Sequence, residues 1–277
     1  MTMHLFACKA LAGTAVAAVV VGTLVAGATS ASAQPTSAGP LFTHAHSHAR
    51  GSSAASGASN WSGYVQQGST YSSVSGSWTV PQVNSDASGY SSTWVGIDGY
   101  SDQYLIQTGT TANYDGGPSY SAWWEVITPS DELPEEDFNM TVEPGDSISA
   151  SVTKGSGENW TMKLTDSTTG VSKSKSYSFN GPASTAEWIQ EDTDVNGYVS
   201  SSPDFGTVTF TNCEANGSAA SLSSDTSFPL EDTNGVVEDS ISGPDSSGSG
   251  FTATYLASGS DWYPGDASSA ALSARTH

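Results

Sequence analysis

Beyond residue 60 the chain places apolar and aromatic side chains in alternation with polar ones, in short segments roughly ten residues apart. Gly, Pro, Asn and Asp stand between the segments, and these residues favour turns. A period of two sends successive side chains to opposite faces of an extended strand. The pattern predicts strands at Trp61–Gln66, Val74–Val80, Ser91–Ile97, Tyr104–Thr108, Ser119–Ile127, Ser147–Val152, Trp160–Thr165, Ser174–Phe179, Ala186–Glu191, Thr207–Phe210 and Phe251–Leu256. Asp166-Ser-Thr-Thr-Gly170 reads as a hairpin turn. No comparable stretch carries an apolar stripe at the helical period. The expectation is an all-β fold, antiparallel, with two sheets stacked as a sandwich.

The chain before residue 60 follows other rules. Within residues 1–33 an apolar run, Ala10 through Ala26, is followed by Ala31-Ser-Ala33, the small-x-small pattern that signal peptidase cleaves. The run is short for a membrane span and lacks a basic stop-transfer flank. Residues 1–33 are therefore read as a signal peptide, which makes the mature protein secreted, extracellular and free of the membrane. Residues 34–59 are Ser, Ala, Gly and His with almost no large apolar side chain. They cannot bury enough surface to fold alone and are read as a propeptide or flexible leader. Residues 60–277 remain as a single β-sandwich domain, within the size of large all-β domains.

Composition narrows the chemistry. The chain has 28 acidic residues against 7 Lys and Arg, a formal net charge of −21. No acid precedes residue 57, and the bases beyond it are Lys154, Lys163, Lys173, Lys175 and Arg275, so the domain is more negative still. Such a surface repels nucleic acid and anionic membranes, and neither is expected as a partner. With carboxyl pKa values of about 4, that self-repulsion fades at about pH 3 to 4, which suits acidic surroundings. Cys8 leaves with the signal, so Cys213 stands alone, without an intramolecular disulfide or a clustered-cysteine metal site. The histidines are His4, His44, His46, His48 and His277, so the domain carries one only as its last residue and none in its interior. Ser-His-Asp, Cys-His and zinc devices all need imidazole. Asp-Thr-Gly and Asp-Ser-Gly are absent as well. Any hydrolytic chemistry then rests on carboxylates, amides and hydroxyls, with no cofactor and no metal.

Three segments join aromatics to such groups: Tyr104-Leu-Ile-Gln-Thr-Gly109, Tyr120-Ser-Ala-Trp-Trp-Glu-Val126 and Ala186-Glu-Trp-Ile-Gln-Glu191. Alternation puts Leu105 with Gln107 on one face, Trp123 with Glu125, and Glu187 with Ile189 and Glu191. A carboxyl among apolar neighbours has its pKa raised by desolvation and can serve as a general acid or base. Periodicity alone is equally met by outward-facing polar residues on half-solvated strands.

The ordered motifs Asn60-Trp-Ser-Gly-Tyr-Val65, Trp94-Val-Gly-Ile-Asp-Gly99, Leu105-Ile-Gln-Thr-Gly109, Ala122-Trp-Trp-Glu125 and Ala186-Glu-Trp-Ile189 resemble those of the glutamic peptidases, or eqolisins. The resemblance implies a concanavalin A-like or jelly-roll sandwich of two long antiparallel sheets. It also implies acid endopeptidase activity on protein and peptide substrates by a Gln-Glu dyad. Carried over by motif, the dyad is Gln107 and Glu187, with Trp94, Asp98, Trp123 and Glu125 lining the substrate cleft. Ser121 and Ile127 stand where fungal members often carry Asp and Tyr, a difference that bears on subsite preference. A monomer is expected. Two rivals share the residues: a concanavalin-like glycoside hydrolase using Glu125 and Glu187 as acid and nucleophile, and a non-catalytic carbohydrate-binding module.

Other signals are weaker. Asp192-Thr-Asp-Val-Asn-Gly197 matches half of a calcium loop, but Pro203 holds the position of the closing glutamate, so a plain turn is expected. His44, His46 and His48 are read as part of a solvated leader rather than a metal site. Sequons occur at Asn60, Asn139, Asn159 and Asn216.

Overall fold

The computed structural model describes residues 42–43, 60–68, 70–84, 88–196, 198–223, 226–231, 235–257 and 263–264, all within the compact unit Ala38–His277. Its main strands are β1 (Trp61–Gln67), β2 (Ser73–Thr79), β3 (Ser91–Ile97), β4 (Leu105–Tyr114), β5 (Pro118–Thr128) and β6 (Ser147–Lys154). They continue as β7 (Asn159–Asp166), β8 (Val171–Ser178), β9 (Thr185–Asp192), β10 (Thr207–Ala215), β11 (Val237–Ile241) and β12 (Phe251–Tyr255). Each predicted strand is present. The additional one, β11, carries Glu238 and Asp239 inward where loop acids would be expected.

An eight-stranded sheet runs β1, β9, β3, β4, β5, with Ser227–Phe228 beside β1 and the short pieces Asp131–Glu132 and Glu136–Asp137 beside β5. A nine-stranded sheet runs β8, β7, β6, β2, β10, β12, β11, with Leu230–Glu231 beside β11 and Ser218–Ala219 beside β10. The core between them joins Tyr64, Val95, Ile106, Trp124 and Trp188 of the first sheet to Val74, Trp78, Ile148, Met162 and Phe210 of the second. Burying each such side chain contributes about 1.5–3 kcal/mol, which stabilises the domain without a disulfide. Two tryptophans also tie the sheets by hydrogen bonds. Trp188 Nε1 donates to the Ser75 carbonyl at 2.7 Å, and Trp78 Nε1 to Thr110 Oγ1 at 3.0 Å.

Between β7 and β8 the expected hairpin forms. Gly170, at φ 76°, donates its N–H to the Asp166 carbonyl at 2.9 Å, in a left-handed conformation that glycine adopts freely. On β6 and β7 buried and exposed positions alternate, as for strands with one wet face. On β3 and β9 every residue is buried, and on β4 every residue except Tyr114.

The signal segment lies outside the described residues, as do His44, His46 and His48. Within the leader, Phe42–Thr43 forms an antiparallel pair with Asp194–Val195 in a small four-stranded sheet. Among the described residues no helix is long and apolar enough to cross a membrane.

Candidate active site

Because β1, β9, β3, β4 and β5 are neighbours, their registers line residues up across the sheet. Val65 pairs with Glu187, Glu187 with Gly96, Gly96 with Gln107, and Gln107 with Glu125. One row therefore holds all three candidate polar groups, on the face turned away from the second sheet. The same face carries a separate apolar cluster of Trp61, Val65, Trp94, Leu105, Trp123, Ile127 and Ile189. Trp61 and Trp94 meet edge to face at 4.8 Å. Gln107, Glu125 and Glu187 are each 0 % exposed, so none is an outward-facing group on a half-solvated strand.

Gly96 keeps the row open. A Cβ there would come within 2.8 Å of the Trp94 ring, 3.1 Å of Leu105 and 3.3 Å of the Gln107 side chain. Without one, the side chains of Glu187 and Gln107 face each other across a strand that contributes only backbone. Adjacent strands are about 4.8 Å apart, which separates the Glu187 and Gln107 backbones by about 10 Å and those of Glu187 and Glu125 by about 14 Å.

Hydrogen bonding separates the three glutamates on this face. Glu191 accepts from Trp94 Nε1 at 2.6 Å and from Asn60 Nδ2 at 2.9 Å. Glu125 accepts from Gln107 Nε2 at 2.7 Å. Both carboxyl oxygens of Glu187 and the amide oxygen of Gln107 are buried without a hydrogen-bond partner. An unsatisfied buried carboxyl costs folding energy, and such groups concentrate where chemistry needs them. Burial pushes the Glu187 carboxyl well above the usual carboxylate range. The nearby Thr185 hydroxyl opposes that rise, while Asp98 and Asp102 add to it.

Asp98 sits just past β3 in the left-handed region, at φ 68°. Its carboxylate accepts the backbone N–H groups of Ala183 and Ser184, both at 2.7 Å, respectively four and three residues before Glu187. Burial nevertheless pushes its pKa up to about 6, against the pull of those two donors. Asp98 thus fixes the approach to β9. Trp94 and Trp123 lie in the apolar cluster of the face, and of the two departures from the motif, Ile127 joins that cluster while Ser121 bonds Thr111 Oγ1 at 2.7 Å.

Two residues of this site had weak signals in the sequence. Gly96 was visible only as part of a motif, and the value of a missing side chain shows once β9, β3 and β4 are adjacent. Asn60 was visible as a sequon, yet it is buried and engaged with Glu191. In the half calcium loop, Asp192 belongs to β9 and Asp194 to a short paired strand, while Gly197 lies outside the described residues. Among the described residues no group of three or more His, Cys, Asp or Glu is arranged to hold a metal ion.

A model of the Peptidase A4 family matches residues 59–253. Aspergillopepsin-2 of Aspergillus niger is 34% identical over 227 residues, covering 72% of this chain and 78% of that protein. Scytalidopepsin B of Scytalidium lignicola is 35% identical over 182 residues, covering 60% and 67%. Among solved structures, scytalido-glutamic peptidase bound to a transition state analog inhibitor superimposes with a TM-score of 0.57 at 27% identity, over 73% of this chain and 100% of that one.

Proposed function

The chain belongs to the Peptidase A4 family and is a glutamic-type endopeptidase with an acidic optimum, and from that premise we propose that Glu187 and Gln107 perform the hydrolysis in a secreted protein. The observation that carries the assignment is the unsatisfied pair: Glu187 and the Gln107 amide oxygen lie in one row, both without hydrogen-bond partners, while Glu191 and Glu125 are engaged.

Peptide hydrolysis needs a base for water, a donor for the oxyanion and an acid for the departing amine. Burial favours the protonated form of Glu187. When substrate and water enter, hydration returns its pKa toward the ordinary value of about 4.3, and the carboxylate becomes available within the acidic range. It takes a proton from water as the water oxygen bonds to the substrate carbonyl carbon. Gln107 accepts from that water through Oε1 and donates an N–H to the oxyanion. Collapse of the intermediate breaks the carbon–nitrogen bond, and Glu187 returns its proton to the nitrogen, leaving a free acid and a free amine. His, Cys and metal are not needed.

The same row argues against the glycosidase reading. A retaining pair of carboxyls stands about 5 to 5.5 Å apart. Glu125 is one strand farther from Glu187 than Gln107 is, and its carboxylate is bound to that glutamine. The test is incubation of the secreted protein with denatured protein and with β-glucan across pH 2 to 7. New peptide amino termini near pH 3 to 4, and no released reducing sugar, are expected. Sugar release that survives Gln107→Ala and disappears in Glu125→Gln would reverse the reading.

A further inference from the structure

The contact between Gln107 and Glu125 has a consequence for the amide itself. A primary amide can turn half a rotation about its last bond and exchange oxygen for nitrogen with little change in shape. Only one of the two orientations presents Oε1 to the side of the row where Gly96 and Glu187 lie. The same face carries the apolar cluster of Trp94, Leu105 and Trp123, and the hydrogen bond that distinguishes the two orientations of the Gln107 amide is the one to Glu125. A carboxylate chooses between them, since it accepts and does not donate. Glu125 faces Gln107 directly across the β4–β5 pairing and takes Nε2 at 2.7 Å. With Nε2 held there, Oε1 is turned away from Glu125 and is left without a partner.

We propose that Glu125 is a positioning residue that fixes the orientation of the Gln107 amide, so that Oε1 meets the attacking water and one N–H remains for the oxyanion. This rests on the assignment of Gln107 to the dyad. It gives Glu125 a task different from contact with substrate, and the two tasks separate kinetically. A residue that binds substrate alters KM when lost, whereas one that orients a catalytic amide alters kcat.

The experiment is a double-mutant cycle in the full chain: wild type, Glu125→Leu, Gln107→Ala and the double variant, with kcat and KM on a peptide substrate at acid pH and a melting curve for each. Leu removes the acceptor and keeps a similar volume. The expected result is a loss of about 10- to 100-fold in kcat for Glu125→Leu, with KM changed less than about threefold. In the Gln107→Ala background the same substitution should cost nothing further, because no amide is left to orient. An unchanged kcat in a folded Glu125→Leu variant, or an equal loss in both backgrounds, overturns the proposal. If Glu125→Leu does not fold, Glu125→Gln takes its place. A second amide can accept or donate, so it should lower kcat by a smaller factor with Gln107 present and by none without it. Any other pattern counts against the proposal. A Gln107→Ala variant with full activity would instead refute the dyad, whereas a crippled Gln107→Ala beside an unaffected Glu125→Leu refutes only the positioning role.

Discussion

A carboxyl group is free for chemistry when its neighbours leave its oxygens uncommitted, and at the residue scale this distinguishes Glu187 from glutamates on the same face. The backbone of Gly96 maintains the distinction by leaving space between Glu187 and Gln107. Gly96→Ala would introduce a methyl group 2.8 Å from the Trp94 ring and 3.3 Å from the Gln107 side chain. The Trp94 ring would have to shift and the Gln107 side chain to give by a few tenths of an ångström, and displacements near 1 Å cost about 100-fold in rate. The expected outcome is a loss of kcat/KM of at least about tenfold, read by peptide hydrolysis. Gly117→Ala is the control, since a Cβ there meets nothing within 4 Å, and it should leave the rate unchanged. Equal effects of the two substitutions would contradict the gap between the dyad members.

At the scale of elements, the site is a product of strand order. β9 lies between β1 and β3, although it follows them by about a hundred residues or more, and Asp98 ties its start to the end of β3. Asp98→Ala would leave the buried Ala183 N–H and the half-buried Ser184 N–H without their acceptor, at about 1–3 kcal/mol for the first and less for the second. Chemical denaturation should therefore show a loss of roughly 2–4 kcal/mol, and a loss under about 0.5 kcal/mol would show that the tie is idle. The sequence revealed the strands more fully than their pairing. Ser91–Ile97 was legible to the residue because it is a short run rich in Thr, Trp, Val and Ile, types that favour strands. β4 continues beyond the expected Thr108 to Tyr114, where Thr110 and Thr111 find partners in Trp78 and Ser121. β11 was missed because Glu238 and Asp239 have the polarity of a loop. Preference for Glu187 over Glu191 needed contacts from Glu191 to Trp94 and Asn60, which lie 97 and 131 residues away. Only the resemblance of motifs anticipated it.

For the whole molecule, the acidic composition enters the interior. Asp192 and Asp239 are both buried, one from each sheet, with Ser202 Oγ donating to the first and Ser62 Oγ to the second at 3.2 Å. Asp192 Oδ2 and Asp239 Oδ1 have no partner. Lys154, Lys163, Lys173 and Lys175 lie on β6 to β8, toward the other edge of the nine-stranded sheet from β11. Burial, reinforced by Glu238, pushes Asp239 up to about 8, and burial, reinforced by Glu238, Asp239 and Glu191, raises Asp192 well above the usual range. A carboxyl whose folded pKa is raised binds its proton more tightly in the native state. Its contribution is complete below the unfolded pKa of about 4 and is lost as pH rises toward the folded value. The melting temperature should fall between pH 4 and pH 8. Asp239→Asn, neutral throughout, should make that fall shallower, and an equal or steeper fall would contradict the origin assigned to it. The fold thus holds together best in the acidic range where the enzyme works.

The most direct measurement of the central claim is kcat on one peptide substrate at pH 3.5 for Glu187→Gln, Glu191→Gln and Gln107→Ala, with melting curves beside the rates. Glu187→Gln should abolish turnover while leaving a folded protein, because an amide cannot take the proton of water. Gln107→Ala should lose about 100- to 1,000-fold, as expected on removal of an oxyanion donor. Glu191→Gln should keep kcat within about tenfold and lose stability instead, because an amide satisfies only one of the two donors held by that carboxylate. Turnover retained by Glu187→Gln and lost in a folded Glu191→Gln would show that the dyad has been placed on the wrong glutamate.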